Sequence, residues 1–289
     1  VRPAAHSLAG PALGGLLLAA GGSGPAFLVD AATFAVSLGC LLRVHPRPPV
    51  PAPASGQDEE PGAQTVPGVL ADVREGFRFV RANAWLWATL LAATFAYLLF
   101  TGPVEVLLPY LVKNELRAGP GTLGLVLAVG GVGAVVAALA VGWWGLPRRP
   151  MTFVYLAWTA STLALVGYGL AGGAWQAMAV SFVFNALEAA GTVVWLTTKQ
   201  RLVPRSLLGR VSSFDWFIST GLVPLSFAVV APVAAAIGAR HTFVLAGGLG
   251  AAVTLAFLFV PGVRAADGAP GVDLDPPAPA PALAAVAAA

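Results

Sequence analysis

The residues best placed to do chemistry are ionisable side chains inside apolar stretches, where a charge is costly and its presence points to function. Glu188 stands near the centre of the apolar run 175–196, and Asn185 lies one helical turn before it on the same face. A carboxyl in that setting can bind a proton or a cationic substrate, or it can hydrogen-bond a neighbouring helix. Glu105 follows Pro103 in the outer part of the run 85–108, where it would gate an outer mouth or reach the membrane interface. Asp30, in the second turn of the run 25–42, suits the positive end of a helix dipole. Asp215 opens the run 214–237 close to Arg210 and is expected to pair with it or be solvated.

Other chemistries find no residues to carry them. One cysteine, Cys40, forms no intrachain disulfide, and His6, His45 and His241 lack the spacing of metal ligands. No serine or histidine has a matched acid, and no glycine-rich phosphate loop ends in lysine. The expectation is therefore no enzyme, no metal and no cofactor. Any transport would run on an ion gradient.

The elements that must position these residues follow from composition. The chain has 289 residues, 57% hydrophobic and 10% charged, whereas a globular domain carries about 25% charged residues. That balance excludes soluble domains and wholesale disorder, and the net charge of +3 is too small to suggest nucleic acid as a partner. Eight apolar runs, 4–22, 25–42, 85–108, 123–145, 151–172, 175–196, 214–237 and 242–260, are each near the ~20 residues that cross a bilayer as a helix. The predicted fold class is an all-α membrane protein with eight transmembrane helices.

Loop charges orient it. The segment before the first run, the loops 43–84, 146–150 and 197–213, and the tail hold thirteen of the sixteen Lys and Arg residues; the opposite side holds Lys113, Arg117 and Arg240. The positive-inside rule then puts both termini in the cytoplasm. Trp85, Trp87, Trp143, Trp144, Trp175 and Trp216 lie near span ends, as an aromatic belt requires.

Loop 43–84 begins with a proline-rich acidic linker and ends in a segment, 69–81, in which Leu70, Val73, Phe77 and Val80 recur at helical spacing, with Arg74, Arg78 and Arg81 on another face. This predicts an amphipathic helix on the inner leaflet, with docking on a protein partner as the competing reading. The alanine- and proline-rich tail, 262–289, is expected to be disordered.

The first run contains Gly10-Pro11-Ala-Leu-Gly14-Gly15. Gly10 and Gly14 share a face that admits a close backbone, and Pro11 removes a donor and bends the helix. Tight packing explains this as simply as a pivot does. The first pair of runs also parallels the last pair: an early proline (Pro11, Pro224), a short outer turn, then a phenylalanine (Phe27, Phe243) opening the second helix. The pairs are six helices apart, as in a parallel six-helix repeat.

With these features the chain resembles the major facilitator superfamily, in a bacterial branch that includes siderophore exporters and macrolide-type efflux pumps. Gly10, Pro11, Gly14 and Gly15 are similar to the end of the fifth-helix antiporter motif. Phe27–Phe34, Arg74–Arg81 and the loop carrying Pro204, Gly209 and Arg210 also resemble that branch. The resemblance implies that the eight helices correspond to helices 5–12 of a twelve-helix fold. Residues 1–42 are then the end of a first six-helix half, 43–84 the cytoplasmic linker and 85–261 the second six-helix bundle. It implies a secondary active transporter in the bacterial cell membrane, exporting small lipophilic molecules of drug or siderophore type against protons, with Glu188, Asn185 and Glu105 as candidates for proton or substrate. Its partners would be the bilayer, a small-molecule substrate and protons. The first four helices lie outside this chain, and those helices or a partner chain would complete the path. The alternative is a non-transporting membrane remnant or accessory subunit.

Overall fold

The computed structural model describes residues 23–43 and 66–268, and within them every regular element is helical. The run 4–22 with Gly10, Pro11, Gly14 and Gly15 lies outside the described residues, as do most of the proline-rich linker and residues 269–289. We label the helices α1 (Ser23–Leu42), α2 (Val66–Ala82), α3 (Ala84–Gly102), α4 (Pro120–Trp144), α5 (Pro150–Ala164), α6 (Ala174–Leu202), α7 (Arg205–Thr220), α8 (Val223–Ile237) and α9 (Ala239–Phe257). Six stretches are long and apolar enough to cross a bilayer: Ala84–Glu115, Pro120–Trp144, Pro150–Leu170, Ala174–Leu202, Ser206–Ile237 and Ala239–Phe257. They fall on the last six of the eight predicted runs.

Inside a bilayer, apolar helices gain little by hiding from lipid, so close packing and interhelical hydrogen bonds hold them together. The α4–α6 contact shows how. Cβ atoms added at Gly130 or Gly133 would overlap Ser181 and the Phe182 backbone of α6, so only glycine permits this approach. Of the small residues Gly124, Ala128, Gly131 and Gly142 along α4, Gly131 is buried whereas Gly142 faces open space. Helix α4 is apolar all round, so its pattern does not mark the buried face.

The span that begins with α3 continues through π-helical turns at Pro103–Leu107 and Leu111–Glu115. The cause of the first is local. The Ser226 hydroxyl accepts from the Gly102 amide (2.8 Å) and donates to the Leu98 carbonyl (2.6 Å), the pair that closes an ordinary turn. Pro103 then offers no amide to the following one.

The interior has two apolar layers. Leu86, Leu90, Tyr155, Val194 and Val211 belong to one, and Leu108, Leu111, Val126, Leu165, Tyr168 and Phe243 to the other. Trp85 is also in the first layer, its ring 5.9 Å from that of Trp195, so it is a core residue and not part of the expected belt. Trp143, Trp144, Trp175 and Trp216 are exposed, as belt residues would be. Between the last two helices, Gly238 alone separates α8 from α9 with φ +87°, a conformation that requires glycine there.

Two further expectations are revised. The tail does not become irregular at residue 262: Val263–Asp267 forms a 3-10 turn with Val263 and Ala266 buried. Asp267 there accepts hydrogen bonds from the Met151 amide (2.6 Å) and the Thr152 hydroxyl (2.6 Å), an acid stabilising the first turn of α5. Helix α2 is not solely a surface helix. Gly76 and Val80 pack on the bundle, Phe77 meets Phe214, and Glu75 pairs with Arg210 of α7, whereas Val73, Arg74, Arg78 and Arg81 remain exposed. On helix α1 the described side chains, residues 28–42, are exposed on every side.

Candidate functional site

Between the two apolar layers lies a cavity of about 190 Å³. Its walls come from the middle of α3 (Ala93, Ala96, Tyr97, Phe100), of α5 (Trp158, Ser161, Thr162), and from one stripe of α6 and the far half of α7. On α6 the stripe is Glu188, Thr192, Trp195 and Lys199, spaced four, three and four residues, the interval that keeps side chains on one helical face. Lys199 lies just beyond the cavity's lining. On α7 the corresponding residues are Asp215 and Ser219, one turn apart.

The two carboxylates have different surroundings. Glu188 accepts one hydrogen bond, from the Thr192 hydroxyl at 2.9 Å, and among the described residues no cation pairs with it. Asp215 is held by Lys199 Nζ at 2.5 Å, by Trp195 Nε1 at 3.2 Å and by the Ser219 hydroxyl at 3.2 Å. Lys199 is only 4% exposed and Asp215 14%, so the pair is shielded from water and its charges largely cancel. The expected partner of Asp215, Arg210, instead bonds Glu75. Five residues apart on one helix, Arg210 and Asp215 point to different sides.

Aromatic rings shape the rest. Trp158 and Trp195 meet edge to face at 6.4 Å, and Phe100 packs edge to face on Phe184 at 5.6 Å. Gly191 makes room for the Trp158 indole, since a Cβ there would lie 2.5 Å from its Nε1. That indole nitrogen is buried without a hydrogen-bond partner. An aromatic chamber with hydroxyl oxygens, one balanced ion pair and one carboxyl that meets no cation among the described residues is chemically suited to bind a proton or an organic cation.

The other sequence candidates lie elsewhere. Asn185 does not join Glu188 in the cavity: it donates to the Ser181 carbonyl (2.9 Å) and packs against Gly130 of α4. Three residues of separation turn it enough to meet a different neighbour. Glu105 is exposed on the first π-helical turn, and Asp30 is exposed on α1. Pro204 separates α6 from α7, Gly209 faces open space, and Arg210 ties α7 to α2. The sequence reading missed Lys199 as a site neighbour, counting it only among the loop cations. The stripe from Glu188 to Lys199 was the available signal.

Comparison with known proteins gives this arrangement a setting. The family model described as the Major Facilitator Superfamily matches residues 5–214. The chain is 29% identical over 206 residues to the Enterobactin exporter EntS of Escherichia coli O139:H28 and to that of Shigella boydii serotype 18. The match covers 71% of this chain and 46% of each of those proteins, so the chain spans about half the length of the curated relatives it matches. No solved structure matches. With a family match over most of its length and a fold of apolar membrane-crossing helices, the chain belongs to the Major Facilitator Superfamily, a superfamily of membrane transporters.

Proposed function

We propose that the protein is a secondary active exporter of the bacterial cell membrane, moving small lipophilic molecules of drug or siderophore type outward in exchange for protons. The observation that carries the reading is Glu188, a carboxyl facing a mid-span aromatic cavity and paired with no cation among the described residues. In transporters built of two halves, substrates bind near the midplane between them. The cavity of α3, α5, α6 and α7 is then one wall of the path, and residues 85–261 form the second half. Residues 1–42 belong to the first half, with Gly10, Pro11, Gly14 and Gly15 as the pivot at its edge. The relatives named as enterobactin exporters support export as the direction. The thirteen basic residues on one side support cytoplasmic termini.

Accumulation of a lipophilic dye in cells making the protein tests this reading. Wild type lowers accumulation, and Glu188→Gln, which keeps the shape and removes the proton-binding group, restores it. Unchanged efflux in Glu188→Gln removes that residue from coupling. Absence of efflux from wild type, with stable protein in the membrane, favours the non-transporting alternative.

A further inference from the structure

A second cavity, of about 240 Å³, lies where α2 joins the bundle. Its lining is apolar but for one residue: Phe77 and Val80 of α2, Trp87, Leu90 and Leu91 of α3, Ile218 of α7, and Arg81. Phe77 (51% exposed) and Leu91 (38%) show that it opens away from the bundle. Trp87 to Leu91 lie within the first eight residues of the α3 span, so at 1.5 Å per residue the groove reaches roughly 10 Å into the hydrocarbon. Arg81 lies three residues before that span begins, where an interfacial cation would meet lipid headgroups.

We propose that this groove binds an anionic phospholipid, with the phosphate on Arg81 and an acyl chain along Phe77, Trp87 and Leu91. The walls match a hydrocarbon chain, and the guanidinium matches a phosphate oxygen pair. Arg74 and Arg78 are exposed at four- and three-residue steps before Arg81 and continue the positive edge toward the leaflet surface. Among the described side chains of α2, the acid that would offset them, Glu75, is turned to Arg210 on the other side of the helix. Contact with Gly76 holds the helix in this attitude, since a Cβ there would crowd Arg210 and Phe214 at 3.1 Å. The lipid thus fastens the outer side of α2 as α7 fastens the inner. This site is separate from the Glu188 cavity and does not depend on the transport reading.

Native mass spectrometry of the full chain, released from detergent with added palmitoyl-oleoyl phosphatidylglycerol or phosphatidylcholine, tests it. Phosphatidylglycerol adducts should outnumber phosphatidylcholine adducts at equal concentration. Arg81→Gln should cut the preference about fivefold, the effect of one arginine at an anionic surface. Leu91→Trp, a filling change at a partly exposed position, should remove the retained adduct of both lipids. Arg201→Gln, an exposed cation outside the groove, should leave the preference intact. Glycerophosphoglycerol, the headgroup without chains, should not displace the lipid. Equal binding of the two lipids, equal losses in Arg81→Gln and Arg201→Gln, retention in a folded Leu91→Trp, or displacement by the bare headgroup would each overturn the proposal.

Discussion

Breaking the Lys199–Asp215 pair should destabilise the protein unequally from its two sides. The carboxylate has three donors, Lys199, Trp195 and Ser219, whereas the ammonium has Asp215 as its hydrogen-bonding acceptor and the Trp195 ring at 5.9 Å. Asp215→Leu therefore strands a cation that is 4% exposed, and removing one partner of a buried pair costs about 3–5 kcal/mol. Lys199→Met leaves the carboxylate two neutral donors and should fall at or below the lower end, about 3 kcal/mol. The double substitution removes both charges and should recover most of the loss, because a buried pair exchanged for apolar side chains is often near neutral. The assay is unfolding free energy in mixed micelles, followed by tryptophan fluorescence, for wild type, both single variants and the double. A coupling energy of about 2 kcal/mol or more is expected. Single losses below about 1 kcal/mol, or losses that add within about 0.5 kcal/mol, would refute the claim that the two charges are mutually dependent.

Asp267→Ala should cost about 1–2 kcal/mol and speed hydrogen exchange at the Met151 and Thr152 amides, since it removes the cap of α5; unchanged exchange would contradict the capping role. Gly133→Ala should cost about 1–3 kcal/mol by forcing α4 from the Phe182 backbone, whereas Gly142→Ala, facing open space, should be neutral or slightly stabilising in the same thermal unfolding measurement. Equal effects would mean that α4 does not meet α6 through Gly133. Gly191→Ala should push the Trp158 indole out of place and change near-ultraviolet circular dichroism while the helix content is kept; an unaltered aromatic spectrum would show that the indole lies elsewhere.

Much of the membrane architecture was legible because crossing a bilayer imposes a length and a composition that a window of residues reveals. Within the spans the outcome depended on whether a residue's partner lies on its own helix. Glu188, Thr192, Trp195 and Lys199 form a readable stripe, and Glu188 does face the cavity. Asn185 shares the spacing argument but is claimed by Gly130 of α4, which no one-helix pattern reveals. For Asp215 the nearest basic residue in sequence, Arg210, or solvent is the natural expectation, whereas its partner is the preceding helix's cation. Asp267 caps a helix 116 residues earlier, a contact invisible in an alanine-rich tail. Trp85 near a span end looked like a belt residue, but end position does not say whether a ring points to lipid or to Trp195.

In the proposed exporter, Glu188 couples substrate movement to protons. Everted membrane vesicles containing the protein, given a proton gradient and ethidium, measure that coupling directly, with Glu105→Gln as a comparison at an exposed acid outside the cavity. Gradient-driven ethidium uptake is expected in wild type and in Glu105→Gln, and none above background in Glu188→Gln at equal protein level. Gradient-driven uptake in Glu188→Gln equal to wild type would contradict it.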